Sequence, residues 1–141
     1  MPVSYLPRLC VALAIVLIST ECIAQPFAEL RRFRGAWVPE GTTCKSVFSR
    51  QGSAIHFRRP GTTVREGILI DEKNRIEDAR NRCHVKKIKA SGEAHSLLIS
   101  CLSGLVVSNL SFSVQFIDDD TVVRSVTEFP EEKVRLRRCK I

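Results

Sequence analysis

The residues able to do chemistry are few: three histidines, six cysteines, the acidic run Asp118-Asp119-Asp120, and 22 lysines and arginines that gather mainly into four clusters. The clusters are Arg31-Arg32-Arg34, Arg58-Arg59, Lys86-Lys87-Lys89 and Arg135-Arg137-Arg138-Lys140. Converging on one face, they would attract an anionic partner: lipid headgroups, acidic glycans, cell-wall polymers or an acidic protein. Lys86, Lys87, Lys89, Arg135, Arg137 and Arg138 are the candidate patch, with plain solubility as the competing reading. The cysteines lack the short Cys-x₂₋₄-Cys pairs of zinc sites. No Gly-x-Ser-x-Gly turn presents a hydrolase nucleophile, and three consecutive acids read as a solvated turn before a calcium loop. No catalytic residue, metal site or cofactor is expected.

The chain that must position these groups begins with Arg8, an apolar run Val11 to Ile18, and Cys22-Ile23-Ala24. That order is a secretory signal peptide, with the run too short to span a bilayer and cleavage expected after Ala24, leaving Gln25 first. Glu21 before Cys22 disfavours lipidation there. The expectation is a periplasmic or secreted single domain over residues 25–141, without a transmembrane segment after cleavage. Arg8 and Glu21 leave together, so the exported part keeps the formal charge of +7. Export and the absence of aromatic stacking runs disfavour nucleic acid, and the basic charge disfavours inhibition of a basic lysozyme. Cys44, Cys83, Cys101 and Cys139 remain, an even set that reads as two disulfides in an oxidising compartment.

Gly92 lies midway between Cys83 and Cys101, inside the turn signal Ser91-Gly92-Glu93. A hairpin with a three-residue loop there puts Cys83 opposite Cys101, at a separation within disulfide range. The same register pairs Val85 with Ile99, Lys87 with Leu97 and Lys89 with His95 on the inner face. It sends His84 and His95 to opposite faces, which prevents them from sharing a metal. Cys44 is left for Cys139, a bond joining the two ends of the domain and worth roughly 4 kcal/mol in the chain-entropy model.

Elsewhere the chain reads as short strands and turns. Phe27, Leu30 and Phe33 suit a helical or 3₁₀ turn; Gly35 to Pro39 is a first strand; Thr43 caps one or two helical turns that aim Cys44 and Phe48 to one side. Strands follow at Ala54–Arg58 and Val64–Ile70. Asp71 to Asn74 closes a hairpin into Arg75-Ile76-Glu77, with Asn74 taking the left-handed conformation. Leu110, Phe112, Val114 and Phe116 alternate with polar residues in a half-buried strand. For the returning strand Thr121–Thr127, a one-residue shift exchanges Val123 and Arg124 on the inner face. Phe129-Pro130 breaks the chain before a last strand, Val134 to Cys139. Asn109-Leu110-Ser111 is a glycosylation sequon relevant only in a eukaryotic secretory route. Eight or nine strands joined by tight turns make an all-β antiparallel up-and-down barrel, or else a sandwich.

Phe27 to Trp37 resembles the opening of the calycins, the lipocalins and their relatives, where a 3₁₀ turn leads into Gly-x-Trp on the first strand. Gly35-Ala36-Trp37 matches that motif. The resemblance implies a tryptophan plugging the barrel floor and a basic residue packed over it, here Arg135 or Arg137. Small exported bacterial barrels, among them Inh-type metalloprotease inhibitors and four-cysteine periplasmic proteins, are similar in size. The function expected is therefore non-enzymatic binding of an anionic envelope component or a protein partner. The alternative is protease inhibition through the segment Pro26 to Arg34.

Overall fold

The computed structural model describes residues 29–58 and 66–141. The expected signal peptide and its cleavage point, Pro26 to Ala28, Arg59 and the Pro60-Gly61 break lie outside the described residues. A 3₁₀ turn, Glu29–Phe33, leads into ten strands and one short helix. The strands are β1 (Gly35–Pro39), β2 (Phe48–Gln51), β3 (Ala54–Phe57), β4 (Ile68–Ile70) and β5 (Arg75–Glu77), then β6 (Arg82–Ser91), β7 (Ala94–Ser103), β8 (Val106–Asp118), β9 (Thr121–Val126) and β10 (Phe129–Arg138). The helix α1 spans Cys44–Val47.

Eight strands close an antiparallel barrel in the order β1-β10-β9-β8-β7-β6-β5-β4. Closure removes most of the unpaired edge that an open sheet would expose. The barrel is the expected architecture and the sandwich is not formed. Strands β2 and β3 pair only with each other, and Phe48 to Gln51 was not foreseen as a strand. With α1 they roof the outer side of β1 and β4, where Ala36, Val38, Cys44, Val47, Phe48 and Cys139 form one buried cluster. The helix carries no side-chain cap from Thr43, but it buries Cys44 and Phe48 together as its spacing requires. Gly67 has to be glycine in that roof, because a Cβ there would lie 2.6 Å from a Val47 methyl.

Both disulfides form as the symmetry argument pairs them. Cys83 and Cys101 face each other with Cα atoms 3.9 Å apart, pointing inward. Cys44 joins Cys139 with Cα atoms 5.6 Å apart. The hairpin that set this pairing needs one correction. Its loop is two residues, Gly92 and Glu93, because a bulge between Val85 and Lys87 shifts the register. Lys87 therefore faces Leu98, and Ile88 faces Leu97. The bulge resolves a conflict, since unbroken alternation would have driven Lys87 and Lys89 into the apolar interior. With the extra residue, Ile88 turns inward and is buried, while the three lysines are exposed.

The turn before β5 forms as the residue types dictate. Asn74 has φ 61°, and the Asp71 carboxylate accepts hydrogen bonds from the backbone N–H of Lys73 and of Arg75 and from the Arg75 guanidinium. Pro130 does not end a strand: β10 begins at Phe129 and accommodates the proline at an irregularity between Phe129 and Lys133. There the ring needs no ladder hydrogen bond.

Candidate functional site

The two ends of the barrel are built differently. At the closed end the 3₁₀ turn seals the interior, burying Leu30 and Phe33. Trp37 is 2% exposed and its indole N–H donates to the Phe33 carbonyl at 2.8 Å. The cation over its ring is Arg138, with the guanidinium carbon 4.2 Å from the ring centroid. Neither Arg135 nor Arg137 does this. Leu136 is buried against the interior, so strand alternation places residue 138 on the inner face and residues 135 and 137 outside. Arg138 donates to the carbonyls of Arg34, Arg32 and Asp119 and pairs with Asp120 at 3.5 Å. Gly35 suits this place because its φ is 119°, and a Cβ there would also crowd the Arg138 guanidinium at 3.3 Å.

The acidic run is part of this same seal. Asp118 accepts the Asp120 N–H, Asp119 pairs with Arg32 at 3.2 Å, and Asp120 pairs with Lys140 at 2.5 Å. Hydrogen bonding and attraction from Lys140 hold the Asp120 carboxyl below its ordinary pKa, with Arg138 adding to the effect. His95 lies inward at this end, edge-on to Phe33 and 3.5 Å from Glu29. His84, as expected, is on the other face of the hairpin and exposed. Among the described residues no group of three His, Cys, Asp or Glu side chains is placed to hold a metal ion.

The open end surrounds a cavity. The barrel interior holds a void of about 110 Å³ walled by residues such as Trp37, Ile76, Leu97, Ile99, Phe112 and the Cys83–Cys101 bond. It opens into a cleft of about 490 Å³ between the β5–β6 loop and the ends of β9 and β10. Ile68, Asp78, Asn81, Arg124 and Leu136 line both spaces, so they form the neck. The ambiguity of the Thr121–Val126 register is settled by the pairing of Val114 with Arg124 and of Phe116 with Val122, which turns Arg124 inward.

Among the described residues, Arg124 is the cation that a barrel strand turns into this space. Its guanidinium carbon lies 5.0 Å from the Phe112 ring centroid. Burial lowers its pKa, against the opposing pull of Glu66 and Asp78. Among the described residues no hydrogen bond or ion pair engages it. Asp78 is occupied elsewhere, accepting the backbone N–H groups of Arg80 and Asn81 and the Asn81 amide. Its short Asx-type turn fixes the neck, and from there its carboxylate attracts Arg124 without a direct ion pair.

The expected basic patch is dispersed. Lys86, Lys87 and Lys89 lie on β6 and Arg135 and Arg137 on β10, four strands apart in the ring of eight and therefore on opposite sides. Arg138 is turned over Trp37. Arg135 pairs with Glu40 at 3.7 Å and Arg137 donates to the Thr42 carbonyl, which attaches both to the β1–α1 connection. Of the segment considered for an inhibitory arm, Glu29–Phe33 is taken up as the barrel seal, with Leu30 fully buried. Arg124 was visible in the sequence only as one of two register choices.

Fold and site together define a closed eight-stranded antiparallel barrel, stapled by two disulfides, with one sealed end and one open apolar cavity. No protein-family model, no curated protein and no solved structure matches the chain. No helix among the described residues is long and apolar enough to cross a membrane.

Proposed function

We propose that this is an exported, non-enzymatic binding protein whose ligand is a small anionic amphiphile. The apolar part enters the barrel and the anionic head rests at Arg124. The observation that carries this reading is an inward arginine, free of hydrogen-bonded partners among the described residues, at the neck of an apolar cavity. A guanidinium in such a place is a strong, directional receptor for a carboxylate or phosphate, with two parallel N–H donors. The size of the void sets the scale of the tail. An apolar cavity of roughly 150 Å³ accepts one benzene ring, so the smaller void of about 110 Å³ suits a short acyl chain. Burying about four methylenes contributes about 3 kcal/mol. The calycin-like Gly35-Ala36-Trp37 start, with its sealed floor, supports the same reading.

The test is calorimetric titration with hexanoate and with 1-hexanol. The expected result is that both bind, hexanoate more tightly. Arg124→Gln should weaken hexanoate by about ten- to a hundredfold, the range of a hydrogen bond to a charged group, and leave hexanol unchanged. Ile76→Phe, which fills the cavity from its wall, should remove both. Failure of hexanoate to bind, or equal binding by wild type and both variants, refutes the reading.

A further inference from the structure

A second feature lies outside the barrel, on the hairpin of β7 and β8. Strand β8 pairs with β9 only from Phe112 onward, so its first residues extend past the neighbouring strand. The turn at their end is Gly104-Leu105, and the side chains around it are aliphatic and uncovered. Leu105 is fully exposed, Val106 and Val107 are about two-thirds exposed, and Leu102 is half exposed. No charge or proline interrupts this stretch from Leu102 to Leu110. Exposed aliphatic residues are ordinarily scattered singly, and a contiguous group of them marks an interaction site. This one protrudes past β9 as a tip, with a shallow groove only along its β6 side.

The surface beside the tip is basic. The outer face of β6 carries Arg82, His84, Lys86, Lys87 and Lys89 in succession, and β5 adds Arg75. A shallow groove lined by Arg75, Arg82, Lys86, Leu102 and Val107, among others, joins the basic stripe to the aliphatic tip. Arg75 is paired with Asp71, and Glu77 lies 3.9 Å from Arg82. Lys86, Lys87 and Lys89 make no ion pair among the described residues. The acids Glu128, Glu131 and Glu132 belong to the β9–β10 side, so the charge is divided across the hairpin.

We propose that the β6–β7–β8 face docks on an anionic lipid bilayer, the Leu105 tip entering the interface and the lysine stripe of β6 lying over the headgroups. A protruding apolar tip fits a deformable apolar medium, and the flanking lysines complement an anionic surface. The division of charge sets the roll of the barrel: β6 turns toward the membrane and the β9–β10 turn away from it. This surface is separate from the cavity, so the proposal stands or falls independently of what Arg124 binds.

The experiment is co-sedimentation of the protein, purified in its naturally exported form, with vesicles of phosphatidylcholine alone or with about one-third phosphatidylglycerol. Binding should require phosphatidylglycerol and weaken with added salt. Reversing the stripe with K86E, K87E and K89E together should reduce binding roughly a hundredfold, and Leu105→Asp about tenfold. All of these side chains are exposed, and an unchanged circular dichroism spectrum shows that the fold is intact. Absence of sedimentation with either vesicle, equal sedimentation with both, or unchanged binding by both variants overturns the proposal. So does a wild-type dimer that Leu105→Asp converts to monomer without any vesicle binding, which would give the tip to a second copy of this chain.

Discussion

Each end of the barrel has an arginine on the inner face, and the two are opposites. Arg138, at the closed end, lies over Trp37 and is held by three backbone carbonyls and Asp120. Arg124, at the open end, lies at the edge of the mainly apolar cavity, stacked over the Phe112 ring and, among the described residues, without a hydrogen bond or ion pair. A guanidinium has five N–H donors, and burying them without partners is costly. At the closed end that cost is offset by saturated bonding, which marks a structural part. At the open end it is offset only in part, by the attraction of Glu66 and Asp78 and by the Phe112 ring.

The contrast can be broken by substitution. The largest effect belongs to the closed end: Trp37→Ala should destabilise by about 3–5 kcal/mol, the range for removing a large buried aromatic, measured by urea denaturation. Arg138→Leu should cost about 3 kcal/mol, because the carbonyls of Arg32, Arg34 and Asp119 lose their donor. In the same experiment Arg124→Leu should change stability by less than about 1 kcal/mol in either direction, since an apolar group replaces an unbonded charge. A loss as large as that of Arg138→Leu would erase the distinction between the two ends.

Acid gives the smallest and most graded test. Burial raises the Asp71 carboxyl, but hydrogen bonds from the backbone and side chain of Arg75 and the N–H of Lys73 outweigh it, and its pKa lies below the ordinary 3.8. A carboxylate whose folded pKa is depressed contributes stability that is fully present above the unfolded value and is lost as pH falls through the folded one. Asp120 follows the same sign through Lys140. Both sit in closed-end loops, so acid should loosen that end first. Amide exchange followed from pH 6 to about pH 3 should show Trp37 and the Asp71–Asn74 turn losing protection before β7 does. Loss at β7 first would contradict it.

Much of the architecture was legible because it rests on local chemistry. Alternation marked β8, Asn74 and Asp71 specified their turn, and the position of Gly92 between two cysteines paired Cys83 with Cys101 and left Cys44 to Cys139. The differences that bear on the site are of one kind, a side chain assigned to the wrong face. The bulge at Lys86 turned Ile88 inward and freed Lys87 and Lys89 from the inner face. The cover on Trp37 came from Arg138, although Val134 and Leu136 already marked the even-numbered residues of β10 as inner. Residues 48–51 became a strand because β3 was there to pair with them.

By itself, then, the sequence determined most of the strands and the disulfide framework, since these depend on neighbours within a few residues or on a symmetry that can be counted. Only the tertiary structure decided which arginine faces the cavity and that the basic clusters lie on opposite sides of the ring. Strand period is two, so one inserted or shifted residue exchanges inside for outside. Which register prevails is settled by barrel closure, where eight strands must satisfy their alternation at once.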